Sequence, residues 1–203
     1  MVQILTLFAT HIYQAKLAGK DVPALNRDLH TACLSIARDD KAGQAWCRAN
    51  AYHGYTSYSS LNDLPVRAPQ FADLARHVDK HVAKFVRALH YDLARKLKLD
   101  SIWINVLKPG GTHTSHIHPH SVISGTYYVA TPKGSSALKF EDPRLGLMMA
   151  APMKKTAAPR DTQPFVYVEA ESGSLILFES WLRHEVPANQ ARQDRISISF
   201  NYA

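Results

Sequence analysis

The hydrophobic period of the chain changes near Ser101, and this change constrains the fold more than any other feature. Before it, apolar residues recur at helical spacing, most clearly from Pro69 to Leu89, which is typical of an amphipathic helix. After it, apolar and polar residues alternate with a period of two, and turns rich in glycine and proline separate the runs, which is typical of strands. The second half predicts eight short strands: 102–107, 114–118, 125–130, 137–140, 165–169, 174–178, 184–186 and 196–202.

A barrel is the expected packing of these strands. Many short, evenly spaced strands joined by turns predict a jelly-roll or cupin-like barrel, also called a double-stranded β-helix. The first half predicts a short opening strand (4–13), a helix (25–37), an irregular segment (49–64) and the long helix that begins at Pro69. We expect an α+β fold in which a mainly helical part, residues 1–100, packs on a β-barrel core, residues 101–203. The length of 203 residues, 46% of them hydrophobic, fits a single catalytic domain.

Composition and charge exclude several classes of protein. Two cysteines, Cys33 and Cys47, are too few for a disulfide framework and too far apart for a zinc or redox motif, so we expect a reducing, cytoplasmic setting. The first residues lack the basic region of a signal peptide, and no apolar run reaches the ~18 residues that a membrane span needs. The net charge of +7 comes from scattered basic residues, so we do not expect nucleic acid as a partner.

Histidine is concentrated in one place, since four of the eleven lie between His113 and His120. Side chains two apart on a strand project from the same face, so His116 and His118 can reach one metal ion. His184 stands where a later barrel strand would begin, and we expect it to be the third ligand. Imidazole suits iron, zinc, copper and nickel, so these residues predict a metal site without naming the metal. We expect His113 and His120 beside this site or in its pocket.

The last predicted strand carries a second polar feature, in which Arg195, Ser197, Ser199 and Asn201 alternate with apolar residues. A polar face inside a barrel is costly unless it meets a polar ligand. An arginine offers two parallel donors to a carboxylate, and a serine two residues on can add a hydrogen bond. The strand therefore predicts an anchor for a dicarboxylate inside the barrel. The alternative is an outer face on which Arg195 pairs with a surface acid.

The order of these motifs resembles the 2-oxoglutarate- and iron(II)-dependent dioxygenases of the double-stranded β-helix, prolyl-4-hydroxylase-like superfamily. That family has a His-x-Asp/Glu pair, a distal histidine and then an arginine; here the pair is His116-x-His118, and His184 and Arg195 follow. A closer resemblance is to a family of bacterial and phage 2-oxoglutarate/iron oxygenases. It rests on these further motifs: Trp103-x-Asn105-Val106, Pro109-Gly110-Gly111, Ser124-Gly125-x-Tyr127-Tyr128-Val129, Phe140-Glu141-Asp142-Pro143-Arg144, Gly173-Ser174-Leu175-Ile176-Leu177-Phe178 and Arg195-Ile196-Ser197-Ile198-Ser199-Phe200-Asn201.

The resemblance implies a role for each of these residues. His116, His118 and His184 would bind Fe(II), with no catalytic residue beyond these ligands. The co-substrate 2-oxoglutarate would be held by the following set: Arg195, Ser197, Asn105 and Tyr127. His118 departs from the family pattern, because it stands where the family has a carboxylate, and this changes the charge at the metal. An acid from elsewhere in the chain is the alternative ligand, and the candidates are Glu141, Asp142, Glu179 and Glu185.

The activity implied by the resemblance is hydroxylation of a prime substrate, with release of succinate and CO2. The implied partners are dioxygen and either a small molecule or a protein side chain. Two other functions stay open: a cupin-type metalloprotein, dioxygenase or isomerase, that uses three histidines without 2-oxoglutarate, and a non-enzymatic barrel that binds a ligand. The long segment 145–163 carries Met148, Met149 and Met153, and we expect it either to cover the substrate pocket or to form a homodimer contact.

Overall fold

The structure is a computed structural model that describes all 203 residues. Its helices are α1 (Val22–Asp39), α2 (Lys41–Ala49), α3 (Leu64–Arg67) and α4 (Pro69–Ala88). The first half also has two short strands: β1 (Tyr13–Lys16) precedes α1, and β2 (Gly54–Thr56) lies between α2 and α3. The second half forms β3 (Leu99–Leu107), β4 (His113–His116), β5 (Ile123–Ala130), β6 (Leu138–Glu141), β7 (Phe165–Val168), β8 (Ser174–Glu179), β9 (His184–Val186) and β10 (Arg195–Tyr202).

The strands form two antiparallel sheets. The large sheet has six strands in the order β1-β8-β5-β10-β3-β2, and the small sheet has four in the order β4-β9-β6-β7. Neighbouring strands are far apart in sequence, as when β10 lies between β3 and β5, so the chain crosses repeatedly between the sheets. This arrangement confirms the expected jelly-roll type of double-stranded β-helix.

The helices cover the outer face of the large sheet. On α4, Phe71, Leu74, Val78, Val82 and Phe85 are buried, at the three- and four-residue spacing that puts side chains on one side of a helix. These residues belong to a core of 27 buried residues that also contains the outward-facing side chains of β3, β5, β8 and β10. The helical first half and the sheet therefore share one hydrophobic core. No helix in the chain is long and apolar enough to cross a membrane.

A second, smaller core lies between the two sheets. Its apolar members are Leu107, Tyr128, Leu138, Phe140, Val168, Ile176, Phe178, Leu182 and Val186. Ser197 on β10 is paired with Asn105 on one side and with Tyr128 on the other. Because paired residues share a face of the sheet, polar side chains of β10 and β3 project into this inner space as well.

The structure departs from the sequence predictions in the first half and at one barrel strand. The predicted opening strand over 4–13 is wrong: the strand is Tyr13–Lys16, which pairs with one edge of β8, and the residues before Tyr13 are not in a strand. The segment predicted to be irregular contains β2, which pairs with the edge of β3. The strand predicted over 114–118 ends at His116, so His118 lies beyond it.

Candidate metal centre and co-substrate pocket

Three histidines meet at one end of the barrel. His116 ends β4 and is paired with His184, the first residue of β9. His118 reaches the same place from the following loop, which is held by a 2.9 Å hydrogen bond from its backbone N–H to the carbonyl of Ser180. Ligand nitrogen atoms of the three rings all lie within 4.8 Å of one another. The structure therefore brings together the three side chains that the sequence singled out, although His118 arrives by a loop and not by strand alternation.

Each ring is held through its Nδ1 atom. The Nδ1 of His116 lies 2.6 Å from the carbonyl oxygen of Thr114, and that of His184 lies 2.9 Å from the carbonyl oxygen of Leu182. A carbonyl only accepts, so these two Nδ1 atoms carry the proton and each Nε2 keeps a free lone pair, as metal-binding histidines do.

The spacing of the rings suits a divalent metal. The Nε2 atoms of His116 and His118 are 3.1 Å apart. Two nitrogen ligands at right angles with bonds of ~2.1 Å would be about 3.0 Å apart. The donor set and its spacing therefore fit a metal such as iron.

Burial keeps the inner rings neutral. It lowers the pKa of His184 to about 3, helped by the neighbouring His116. It also lowers the pKa of His118 to about 4, although a hydrogen bond to Asn201 acts in the opposite direction. Neutral imidazole is the form that binds a metal, so both rings are ready to do so at neutral pH.

No carboxylate joins the three histidines. Glu185 is paired with Lys139 at 2.7 Å, and Asp142 is paired with Arg144 at 2.8 Å. Glu179 accepts hydrogen bonds from the hydroxyl of Tyr91 and the indole of Trp181, and Glu141 lies 3.9 Å from Arg183. All four acids proposed as a substitute ligand thus have other partners, and the cluster contains histidine alone.

Arg195 is buried inside the barrel with no acidic partner. Its side chain is 1% exposed, which excludes the alternative of an outer face paired with a surface acid. The guanidinium lies 5.0 Å from the ring centre of Tyr128 and 3.4 Å from the hydroxyl of Ser197. Both the Nε of Arg195 and the hydroxyl of Tyr128 are buried without a hydrogen-bond partner. Burial lowers the pKa of Arg195. A buried cation without a counter-charge, next to hydrogen-bond donors that have no partner, is the arrangement expected of an anion-binding site.

The other residues expected to bind 2-oxoglutarate lie in two different places. Asn105 is on the inner face, where its amide bonds the hydroxyls of Thr56 and Ser199 at 2.9 and 3.1 Å. Tyr127 faces the helices instead, and its hydroxyl donates to Asn26 at 2.8 Å. The inward tyrosine of the pair is Tyr128, so the pocket contains Tyr128 where the sequence analysis had expected Tyr127.

Two further residues, His113 and Tyr52, lie close enough to Arg195 for its charge to affect their pKa values. His113 is paired through its Nε2 with the hydroxyl of Tyr52 at 2.6 Å. Burial, together with the charge of Arg195, lowers the pKa of His113 to about 3 and keeps its ring neutral. Sequence reasoning missed Tyr52, which stands in the segment predicted to be irregular and carries no local signal. His120 is exposed and adopts a positive φ of 69° in the turn after the site.

Comparison with known proteins agrees with this geometry. A family model described as "Putative 2OG-Fe(II) oxygenase" matches residues 101–201. No curated protein matches the sequence.

Three solved structures show the same fold. The epimerase SnoN from nogalamycin biosynthesis, which is described as alpha ketoglutarate dependent, aligns over 96% of this chain and 78% of its own, at 12% identity and a TM-score of 0.64. A Pseudomonas putida prolyl-4-hydroxylase aligns over 95% and 92%, at 16% identity and a TM-score of 0.62. HygX from Streptomyces hygroscopicus, solved with nickel and 2-oxoglutarate, aligns over 96% and 82%, at 12% identity and a TM-score of 0.58.

Residues 101–201, which contain the histidine cluster and the buried arginine, match a class of non-haem iron oxygenases. Within that class, the chain belongs to the 2-oxoglutarate/Fe(II) oxygenase family. It is an oxidoreductase with Fe(II) as its metal and 2-oxoglutarate as its co-substrate.

Proposed function

We propose that this protein hydroxylates a prime substrate while it converts 2-oxoglutarate to succinate and CO2. The observation that carries the proposal is Arg195, a fully buried cation that has no acid to pair with and lies in the same barrel interior as the three histidines. When bound together, Fe(II), 2-oxoglutarate and dioxygen supply the oxidant that attacks a C–H bond. The protein's own residues supply the binding, the orientation and the shielding.

The metal ligands in this proposal are the Nε2 atoms of His116, His118 and His184. Their Nδ1 atoms hold the rings in place, so little reorganisation accompanies binding. Three neutral ligands leave the full charge of a divalent metal uncompensated. An anionic co-substrate would therefore neutralise this charge. In a family member with a carboxylate ligand, that ligand already neutralises part of the metal charge.

The distal carboxylate of 2-oxoglutarate would occupy the space beside Arg195. The guanidinium donates two hydrogen bonds in a planar fork, which suits a carboxylate. The idle hydroxyl of Tyr128 donates a third, and Ser197 stays beside the guanidinium. Asn105 lines the same face, and because its amide is already bonded to Thr56 and Ser199, it supports the wall of the pocket.

The apolar inner core keeps water away from this pair of charges. Phe140, Phe178 and Val186 pack around the histidine side of the interior, and the ring of Phe178 lies 4.5 Å from the ring of His184. Charged hydrogen bonds are stronger when water is excluded. The other core, of 27 residues, joins the helices to the outer face of the large sheet, so we take residues 1–203 as one catalytic unit.

The prime substrate would approach from the side of His116 and His118, which are partly exposed, whereas His184 is buried. Trp103 stands beside His118 with ring centres 5.7 Å apart, and exposed Tyr58 packs edge-on against Trp103 at 5.3 Å. We propose this aromatic pair as one wall of the entrance, for a small molecule or a protein side chain.

The loop from 142 to 164 begins next to β9, because the backbone N–H of Glu141 bonds the carbonyl of Arg183. Leu147, Met149 and Met153 on this loop are exposed. We propose that this loop, which also carries the half-buried Met148, covers the substrate pocket or contacts a second copy of the chain.

A metalloprotein that uses the three histidines without a co-substrate would leave the charge of Arg195 without a counter-charge, and its Nε and the Tyr128 hydroxyl without hydrogen-bond partners. Burying an unpaired charge costs several kcal/mol, and in such a protein no bound anion would offset this cost. The observation therefore favours the oxygenase over the cupin-type and non-enzymatic alternatives.

The proposal is tested by supplying aerobic, iron-loaded protein with 2-oxoglutarate labelled at C1 and measuring labelled CO2 and succinate together. We expect the two products in equal amounts, at a slow rate without prime substrate and at a higher rate with it. The matched control is Arg195→Met, which we expect to keep the metal and form little product at the same co-substrate concentration. Iron-loaded wild-type protein that binds 2-oxoglutarate yet forms no succinate with any candidate substrate contradicts the proposal.

A further inference from the structure

A group of hydroxyl and amide side chains, some buried and some half-buried, lies behind His118, on the side away from the metal position. The Nδ1 of His118 is 2.6 Å from Oδ1 of Asn201 and 2.8 Å from the hydroxyl oxygen of Ser124. Ser124 is in turn 2.8 Å from the same Asn201 oxygen and 2.7 Å from the hydroxyl of Ser180. Ser124 and Ser180 are fully buried.

Placing such polar side chains inside a barrel costs free energy, because they lose their contacts with water. Each buried hydroxyl or amide that loses its water must find a partner, and networks of this kind are stabilising only when every member is satisfied. Here every member is bonded: the amide nitrogen of Asn201 donates to the hydroxyl of Ser101 at 3.2 Å, which turns its carbonyl oxygen towards His118. The acceptor of the network is therefore aimed at one ring nitrogen.

His118 needs this support because of where it stands. His116 and His184 sit at strand ends, where a main-chain carbonyl two residues earlier accepts from Nδ1. His118 lies past the end of β4, and side chains from β5 and β10 take the place of that carbonyl.

We propose that Asn201, supported by Ser124 and Ser180, is a positioning residue that keeps the proton of His118 on Nδ1 and its lone pair on Nε2. This inference rests on the proposed function, in which His118 is a ligand. An amide oxygen, unlike the carboxylate found behind many metal-bound histidines, adds no charge. The network therefore holds His118 as a neutral ligand. In this inference the protein's ligand set is complete with three imidazoles and includes no carboxylate.

The test is proton NMR of the protein with Co(II) as the probe metal. A histidine bound through Nε2 shows its Nδ1 proton as a strongly shifted resonance that is present in H2O and lost in D2O. We expect three such resonances from wild-type protein. Asn201→Ala should lose or broaden one of them, keep the other two, and weaken Co(II) binding about 10- to 100-fold.

Two further variants make the result specific. Asn201→Asp keeps an acceptor oxygen, so the third resonance should remain. Asn26→Ala removes an asparagine of similar burial on the opposite side of the sheet, where it bonds Tyr127, and should leave all three resonances and the Co(II) affinity unchanged. If Asn201→Ala binds no cobalt at all, the Asn201→Asp variant decides the question. Three resonances in that variant would support the positioning role of Asn201, and their absence would overturn it.

Failure of this inference is distinct from failure of the proposed function. Two resonances from wild-type protein would mean that His118 is not a ligand, which overturns the ligand set itself. Three resonances in both wild type and Asn201→Ala, with equal Co(II) affinity, would leave the ligand set intact and remove the positioning role of Asn201.

Discussion

Replacing Arg195 with methionine should move stability and co-substrate binding in opposite directions. In the free protein the guanidinium is 1% exposed and unpaired, and replacing buried charged groups with apolar side chains of similar volume is neutral or stabilising by up to about 4 kcal/mol. For a domain of this size, 1 kcal/mol corresponds to roughly 2–4 °C in Tm. We therefore expect Arg195→Met to unfold at the same temperature as the wild type or at a higher one.

Binding of 2-oxoglutarate should suffer in the same variant. Hydrogen bonds to a charged group contribute about 1.5–3 kcal/mol, so their loss should raise the Kd roughly 10- to 150-fold. At a concentration of 100 times the wild-type Kd, the co-substrate stabilises the wild type by about 2.7 kcal/mol. With a Kd raised 100-fold, the same concentration gives about 0.4 kcal/mol.

The assay is thermal unfolding of the iron-loaded protein under anaerobic conditions, with and without 2-oxoglutarate. Arg183→Met is the matched control, because that arginine is half exposed and lies 3.9 Å from Glu141; it should change neither quantity appreciably. An Arg195→Met protein that is several degrees less stable than the wild type, and is stabilised equally by 2-oxoglutarate, would refute the reasoning.

Three further predictions follow from the site. His184→Ala should leave no iron after desalting, as measured by metal per chain, whereas a protein that retains one iron would contradict the ligand assignment. Tyr128→Phe should raise the Kd for 2-oxoglutarate by about 10-fold or more through loss of one hydrogen bond to a carboxylate, while Tyr127→Phe should not; equal effects would contradict the assignment of the inward face. His113, His118 and His184, whose pKa values desolvation lowers to about 3, 4 and 3, stay neutral in the metal-free fold but ionise in the unfolded chain below its pKa of about 6.5. The free energy of unfolding should therefore fall by about 1.4 kcal/mol per histidine, about 4 kcal/mol in all, between pH 7.5 and 5.5; chemical denaturation that gives the same value at both pH values would contradict this.

The barrel strands could be predicted because each has one apolar and one polar face. The strand β10 alternates along its whole length, and this pattern correctly put Arg195 on the inner face. The strand β9 was predicted at its true bounds, His184–Val186, because it follows the apolar strand that begins after Gly173 and stands where a later barrel strand would begin. Alternation is informative wherever the two faces of a strand meet different surroundings.

The inward tyrosine could not be predicted for the same physical reason. The first seven residues of β5 are buried, since helices cover one face and the barrel interior covers the other. Tyr127 and Tyr128 then look alike in the sequence, and their contacts in the fold distinguish them: Tyr127 bonds Asn26 on a helix, whereas Tyr128 is paired with Ser197 and faces Arg195. Tyr52 was out of reach because it meets His113 through a contact 61 residues apart in the chain.

The convergence of the histidines was predicted, but partly for the wrong reason. Strand alternation would put His116 and His118 on one face, yet β4 ends at His116. The loop returns His118 to the site because its backbone bonds the carbonyl of Ser180 and its ring bonds Asn201. Neither contact can be read from the local sequence.

Anaerobic titration of the Fe(II)-loaded protein with 2-oxoglutarate tests the central claim most directly. Chelation of the keto acid by the iron gives a weak charge-transfer band in the visible spectrum. We expect this band to rise and saturate at one 2-oxoglutarate per iron, and to need a much higher concentration in Arg195→Met. A protein that holds one iron per chain and develops no band at any concentration would contradict the account.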